Sequence, residues 1–384
     1  MKKVLILIPY YKPGYQSGGP QRTIENVCNV FHGKTKIYIV TQNYDLGAAD
    51  KPYTITVGKW HDLDGIKIMY LTHKQYSPSG LKNLFQKFDT VYSCGLFERN
   101  SISTLILNRL YHNPNIQVYI ASMGVFSPGA LNSKHKKKWA FIQIIKRLGL
   151  YKNIIWSFTS KGEYTDAINA FGEKKYIQKY IIAEDLPTVV DFNESLKYME
   201  CNVSNNELKI IFLSRICPKK NLLYAIKVLK AVHTDKAIKF DIYGVIEDKQ
   251  YWSECQKEIK GLPTNIKAKY VGAVKPDDVI GTFRKYDVFL FPTKGENYGH
   301  VIYEALAAGC VPIISDQTPW NDMIANKCGE TISLKNPELF TEAVCRYCSF
   351  TSNELLESKK MCISYAKQKR ESTVENSGYS IIFQ

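Results

Sequence analysis

A chain of 384 residues, 45% of them hydrophobic, can build two domains with separate cores. Its formal charge of +15 calls for an anionic partner, whether a nucleotide, a nucleic acid or a lipid surface, and ten cysteines without a signal peptide exclude an extracellular disulfide framework. Met1-Lys2-Lys3 runs straight into Val4-Leu5-Ile6-Leu7-Ile8-Pro9, too short for a secretory core or a membrane span, so the chain is expected in the cytosol with reduced thiols.

In chain order, short apolar runs alternate with helical patterns, as in parallel sheets covered by helices on both faces. The first block has its runs at 4–8, 37–41, 90–93, 118–121 and 154–159, and the second at 210–213, 240–243, 288–291 and 311–314. The polar stretch 191–207 separates them, with Asn202-Val203-Ser204-Asn205-Asn206 as the clearest linker signal. The expected division is therefore 1–190, 207–365 and a polar, basic tail over 366–384.

Ligands of open parallel sheets bind beyond the carboxyl ends of the strands, so the loops after each run carry the functional expectations. After the first run, Gly18-Gly19-Pro20 precedes an expected helix, and adjacent glycines let that loop approach a ligand closely. Asp62-Leu63-Asp64 has the letters of a metal-binding Asp-x-Asp. Gly65 follows at once, between two strand-like stretches, and a hairpin turn fits better. The stretch 134–147 sets Lys134, Lys136, Lys137, Lys138, Lys146 and Arg147 beside Trp139 and aliphatics at helical spacing. A helix lying on an anionic membrane and a buried helix with a solvated basic edge both account for it.

In the second block, Phe212-Leu213-Ser214 leads into Arg215-Ile216-Cys217-Pro218-Lys219-Lys220-Asn221. A strand followed by Arg and, five residues on, Lys can present a planar fork and a point charge to a diphosphate, and no metal is then needed. Tyr243-Gly244 ends the next strand at a similar position. In Gly295-Glu296-Asn297-Tyr298-Gly299-His300, a turn leads into a helix starting near Gly299, whose unsatisfied amides can seat a phosphate. Glu304 lies roughly 7.5 Å further along the axis and suits a ribose hydroxyl, whereas Glu296, before the helix, suits the hydroxyls of a sugar at the far end of the diphosphate. Cys345 and Cys348 fall in a helical segment without a second pair, which argues for ordinary thiols over zinc.

Glu296 to Glu304, followed by Ala305-Leu306-Ala307-Ala308-Gly309-Cys310-Val311-Pro312, resembles the signature of retaining glycosyltransferases of family 4. Further anchors are Gly18-Gly19-Pro20, the loop 122–131, the stretch 215–221 and Tyr243-Gly244, so the likeness extends over most of the chain. It implies an α/β fold of the GT-B type, two Rossmann-like doubly wound domains facing across a central cleft. The first would bind the acceptor and the second the nucleotide-sugar donor, and in relatives the last helix packs back on the first domain. At the chemistry the resemblance places Glu296, Arg215 and Lys220. Around the donor it places Gly18, Gly19, Tyr243, Gly244, Val271, Asn297, Tyr298, Gly299, His300 and Glu304.

On the acceptor side stand Met123 and Gly124. Family loops often carry Arg or His before this glycine; Met123 departs from that, which reads either as a changed acceptor or as weakened activity, with backbone contacts around Gly124 retained. The implied activity is metal-independent, retaining transfer from a nucleoside diphosphate sugar, a UDP-sugar in preference to a GDP-sugar, with no cofactor. The expected acceptor is a lipid-linked glycan of bacterial surface polysaccharide, with peripheral membrane contact through 134–147. Alternatives are a nucleotide-sugar epimerase or phosphorylase on the same architecture, and a basic nucleic-acid-binding protein, which leaves the glutamate pair without a role.

Overall fold

A computed structural model describes residues 1–132, 135–201 and 206–384. Contacts divide the chain into two units, Met1–Leu186 with Thr373–Gln384, and Pro187–Ser372.

The first unit holds an eight-stranded sheet. Its strands are β1 (Lys3–Leu7), β2 (Lys36–Gln42), β3 (Trp60–Leu63), β4 (Ile66–Leu71), β5 (Thr90–Cys94), β6 (Gln117–Ala121), β7 (Ile155–Phe158) and β8 (Tyr180–Ile182). The order is β3-β4-β2-β1-β5-β6-β7-β8, parallel except for β3, which pairs antiparallel with β4. β1 is central, and Val4, Leu5, Ile6 and Leu7 are all buried because helices cover both faces of the sheet. The strand order reverses between β1 and β5, so the loops after them flank a switch point. The final helix, Tyr379–Phe383, completes this core, with Phe383 stacked on Phe31 at 5.3 Å and Tyr379 edge-on to Tyr92 at 6.2 Å.

The second unit holds a six-stranded parallel sheet of β9 (Glu207–Leu213), β10 (Ala237–Tyr243), β11 (Ile266–Gly272), β12 (Val288–Phe291), β13 (Val311–Ser315) and β14 (Glu330–Ile332). Its order is β11-β10-β9-β12-β13-β14, with the switch point between β9 and β12. All nine apolar runs read from the sequence are strands in this structure.

One place differs from the sequence expectation, and one agrees with it. The polar stretch 191–207 is largely the helix Phe192–Cys201, started by Asp191 Oδ1, which accepts from the amides of Asn193 and Glu194. Arg284 fastens that helix through Glu194 (2.6 Å) and Ser195 (3.1 Å), so the division falls at Leu186–Pro187 rather than within 191–207. Residues 202–205 of the expected linker lie outside the described residues. Asp62-Leu63-Asp64 forms the hairpin between β3 and β4: Asp64 and Gly65 both have positive φ, and Asp62 accepts from the Gly65 amide and pairs with Lys67.

Candidate functional site

Three loops at the carboxyl end of the second sheet are tied together. The loop after β12 receives Asn221 Nδ2 on the Pro292 carbonyl (2.8 Å), and its Lys294 amide donates to the Lys219 carbonyl (2.9 Å), so it is clamped to the loop after β9. On its other side the Glu296 amide donates to the Gln317 carbonyl, and Trp320 Nε1 donates to the Tyr298 carbonyl, from the loop after β13. Asn221 holds a left-handed conformation (φ 63°) that Asn tolerates, which turns the chain into the helix Leu222–Lys230.

This clamp brings Lys220 and Glu296 together at 2.6 Å, with side chains only 11% and 12% exposed. Glu296 Oε1 also accepts from Thr293 Oγ1 at 3.0 Å. Its other oxygen, Oε2, takes no hydrogen bond among the described residues, so the carboxylate is held by one oxygen and presents the second. Thr293 was missed in the sequence, although its position three residues before Glu296 was a usable signal.

Immediately beyond, Gly299 (φ 83°) starts the helix His300–Ala307, which has no side-chain cap. A Cβ at Gly299 would come within 2.9 Å of Ile302 Cδ1. Glycine thus sets the angle at which the helix leaves the loop, and the uncapped first turn presents backbone amides, an anion seat. Glu304, one turn in and buried, accepts from Thr188 Oγ1 at 3.3 Å. Tyr298 stacks at a tilt on His300 (4.9 Å) and edge-on to Trp320 (5.5 Å), while Asn297 is exposed.

Arg215 is not part of that cluster. It reaches Glu247, in the loop after β10, at 2.5 Å, and both side chains are about half exposed. An ion pair this exposed is worth ~0–1 kcal/mol, so little opposes its exchange for a phosphate. Gly244 (φ 142°) closes on the Arg215 loop: a Cβ there would lie 1.8 Å from the Ser214 carbonyl oxygen. Tyr243 turns its hydroxyl to Tyr286 (2.9 Å) and, with Val271, lines a cavity of about 400 Å³. Tyr243 also borders a cavity of about 810 Å³ beside Ala273, Val274 and Lys275.

In the first unit, Gly18 (φ 70°) caps the helix Gly19–Phe31, again without a side-chain bond, and a Cβ at either glycine would meet nothing within 4 Å. The preceding turn is held by Asp45, which accepts from the amides of Tyr15 and Gln16. Met123 (φ 53°) and Gly124 (φ 78°) form a left-handed pair, whose Gly124 amide donates to buried Glu163. Glu163 also accepts from Thr159, and burial pushes the nearby Asp185 carboxyl up to about 7.

The basic segment forms the helix His135–Leu148, with Lys134 outside the described residues. Ile142 and Ile145 point into the core, whereas Trp139 (57% exposed), Ile144 (49%) and Leu148 (57%) point outward. Lys138 and Lys146 bend onto the protein, to the carbonyls of Ala130 and Phe171. Cys345 and Cys348 lie as free thiols on the helix Pro337–Ser349. Among the described residues no helix is long and apolar enough to cross a membrane.

Residues 199–369, the segment that carries the Lys220–Glu296 pair and the Gly299 helix start, match the family of glycosyl transferases group 1. Over that segment the chain is similar to the group 1 glycosyltransferases. It is 24% identical over 300 residues, 76% of this chain and 78% of the other, to an uncharacterized 41.2 kDa protein in the cps region of Klebsiella pneumoniae. Among solved structures it resembles Anabaena HepE in complex with UDP and glucose (13% identity, 98% of each chain, TM-score 0.69). It also resembles WaaG, a glycosyltransferase involved in lipopolysaccharide biosynthesis (14%, 97% of each, TM-score 0.64). A third likeness is to sucrose-phosphate synthase from Thermosynechococcus elongatus (13%, 98% of this chain and 97% of that one, TM-score 0.70). At these identities the likeness shows the fold, which is GT-B.

Proposed function

We propose that this chain is a group 1 glycosyltransferase, a retaining family 4 enzyme that takes a sugar from a nucleoside diphosphate sugar, UDP in preference to GDP, and builds bacterial surface polysaccharide on a lipid-linked glycan. The observation that carries the reading is the part-buried Lys220–Glu296 pair beside the uncapped start of the helix His300–Ala307. A cation, a carboxylate with one open oxygen and a row of amides suit the two ends of a diphospho-sugar.

In this account Lys220, Arg215 after leaving Glu247, and the helix amides take the charge of the departing diphosphate, the largest kind of contribution such a site makes. Glu296 Oε2 holds donor-sugar hydroxyls. Glu304 accepts from the ribose, and Asn297, Tyr298, His300 and Gly244 shape the seat. The acceptor oxygen bonds to the anomeric carbon on the face from which the diphosphate leaves, through an oxocarbenium-like state, and its proton passes to the departing phosphate oxygen. No protein nucleophile and no metal enters this scheme. The Gly18-Gly19 turn and the Met123-Gly124 pair are assigned to the donor phosphates and the acceptor.

The cps-region relative and the lipopolysaccharide enzyme WaaG support the surface-polysaccharide assignment. The HepE complexes with UDP and UDP-glucose support uridine as the base. Outward Trp139, Ile144 and Leu148 on a basic helix support contact with the cytoplasmic face of an anionic membrane.

Glu304→Ala is expected to weaken nucleotide binding by about 1–3 kcal/mol, because a charged acceptor loses its ribose bonds. Calorimetry with UDP reads this directly, and unchanged affinity removes Glu304 from the donor seat.

A further inference from the structure

In a parallel sheet covered on both faces, strand residues are apolar nearly throughout. β9 and β10 keep that rule on one face, where Leu208, Ile210, Phe212, Ile238, Phe240 and Ile242 are buried. On the other face they break it. Lys209 and Lys239 are register partners across β9 and β10, and Asp241 and Lys269 are partners across β10 and β11. These four side chains line the cavity of about 400 Å³, a volume within the range of small-molecule sites.

Its cations outnumber its carboxylates. Lys359 is spent on Asp287 (2.8 Å), Arg284 on Glu194 (2.6 Å) and Lys239 on Asp241 Oδ2 (3.1 Å). Lys209, Lys269 and Lys285 have no ion-pair partner among the described residues, and all three border the cavity. Within the wall, Tyr286 donates to Asp241 Oδ2 at 2.6 Å, while Asp241 Oδ1 has no hydrogen-bond partner among the described residues although the residue is only 3% exposed. A buried carboxylate oxygen left unpaired is costly and calls for a missing donor.

We infer that this cavity binds an anionic sugar unit, a hexose bearing phosphate or carboxylate, at a site separate from the Lys220–Glu296 seat. Lys209, Lys269 and Lys285 take the anion. Asp241 Oδ1 accepts from a sugar hydroxyl, and the Tyr243 and Tyr286 rings, edge to face at 6.1 Å, give the sugar ring an aromatic wall. The inference rests on the cavity alone and stands whether or not the donor seat is where it is proposed to be.

The test is calorimetric titration of the full chain with glucose 6-phosphate, glucuronate, glucose and inorganic phosphate. Saturable binding of either acidic sugar, with glucose much weaker, is expected, and which of the two binds tighter identifies the anion. The Lys209→Ala/Lys269→Ala double variant is expected to lose at least about tenfold in affinity. Thermal unfolding checks that it remains folded. Asp241→Asn is expected to weaken the acidic sugar while leaving inorganic phosphate unchanged. Absence of acidic-sugar binding overturns the inference, as does affinity that survives the double variant in folded protein. Inorganic phosphate binding as tightly as either acidic sugar also overturns it, because the cavity would then hold a bare anion.

Discussion

Lys220→Ala is expected to lower turnover by about 10²–10³, the range seen when one preorganised group facing developing charge is removed. Lys220 is held 2.6 Å from Glu296 in a nearly enclosed position, so it needs no rearrangement when diphosphate charge appears. Breaking this part-buried pair also leaves a carboxylate uncompensated, at a cost to stability below the about 3–5 kcal/mol of a fully buried pair. Thr293, donating to Glu296 Oε1 at 3.0 Å, softens that cost. Turnover is therefore to be compared below the unfolding midpoint of the variant, with Lys220→Arg as the charge-preserving control. Normal turnover by folded Lys220→Ala protein contradicts the phosphate role.

Gly244→Ala is expected to cost roughly 2–5 kcal/mol of stability, from overpacking and an unfavourable φ together. The new Cβ would stand 1.8 Å from the Ser214 carbonyl oxygen and 3.4 Å from the Arg215 amide, both backbone atoms that no rotamer change can move aside. The Gly244 amide already donates to Gly272 and its carbonyl already accepts from Tyr270, so the strand end on the other side is fixed as well. The strain falls on the loop that carries Arg215, and UDP affinity is expected to drop with stability. Denaturant titration and calorimetry check both. A variant with native midpoint and native affinity removes the Gly244 contact from the account.

The central strands were legible because residues buried on both faces leave continuous apolar runs, as in Val4-Leu5-Ile6-Leu7 and Phe289-Leu290-Phe291. Edge strands leave no such run. β11 reads Ile266-Lys267-Ala268-Lys269-Tyr270-Val271-Gly272, and most of it is exposed, while β8 and β14 have three residues each. The helix Phe192–Cys201 was hidden for another reason: its anchor is Arg284, far away in sequence, rather than a strong apolar stripe of its own.

At the site, local signals named Glu296, Gly299 and Lys220 one by one, since each sits at a strand exit or helix start. That Lys220 touches Glu296 depends on the Asn221–Pro292 and Lys294–Lys219 bonds between loops, which no local pattern contains. The same holds for Arg215 and Glu247, which meet only because the loops after β9 and β10 run side by side, with Ile216 bridged to Ile246.

The most direct test of a nucleotide-sugar seat in the second unit is calorimetric titration of the purified protein, without divalent metal, against UDP, GDP and their sugars. The account predicts saturable binding to the uridine series, weaker binding to the guanosine series, and loss of both in Arg215→Ala. Absence of binding to any of them, or affinity that Arg215→Ala leaves unchanged, contradicts it.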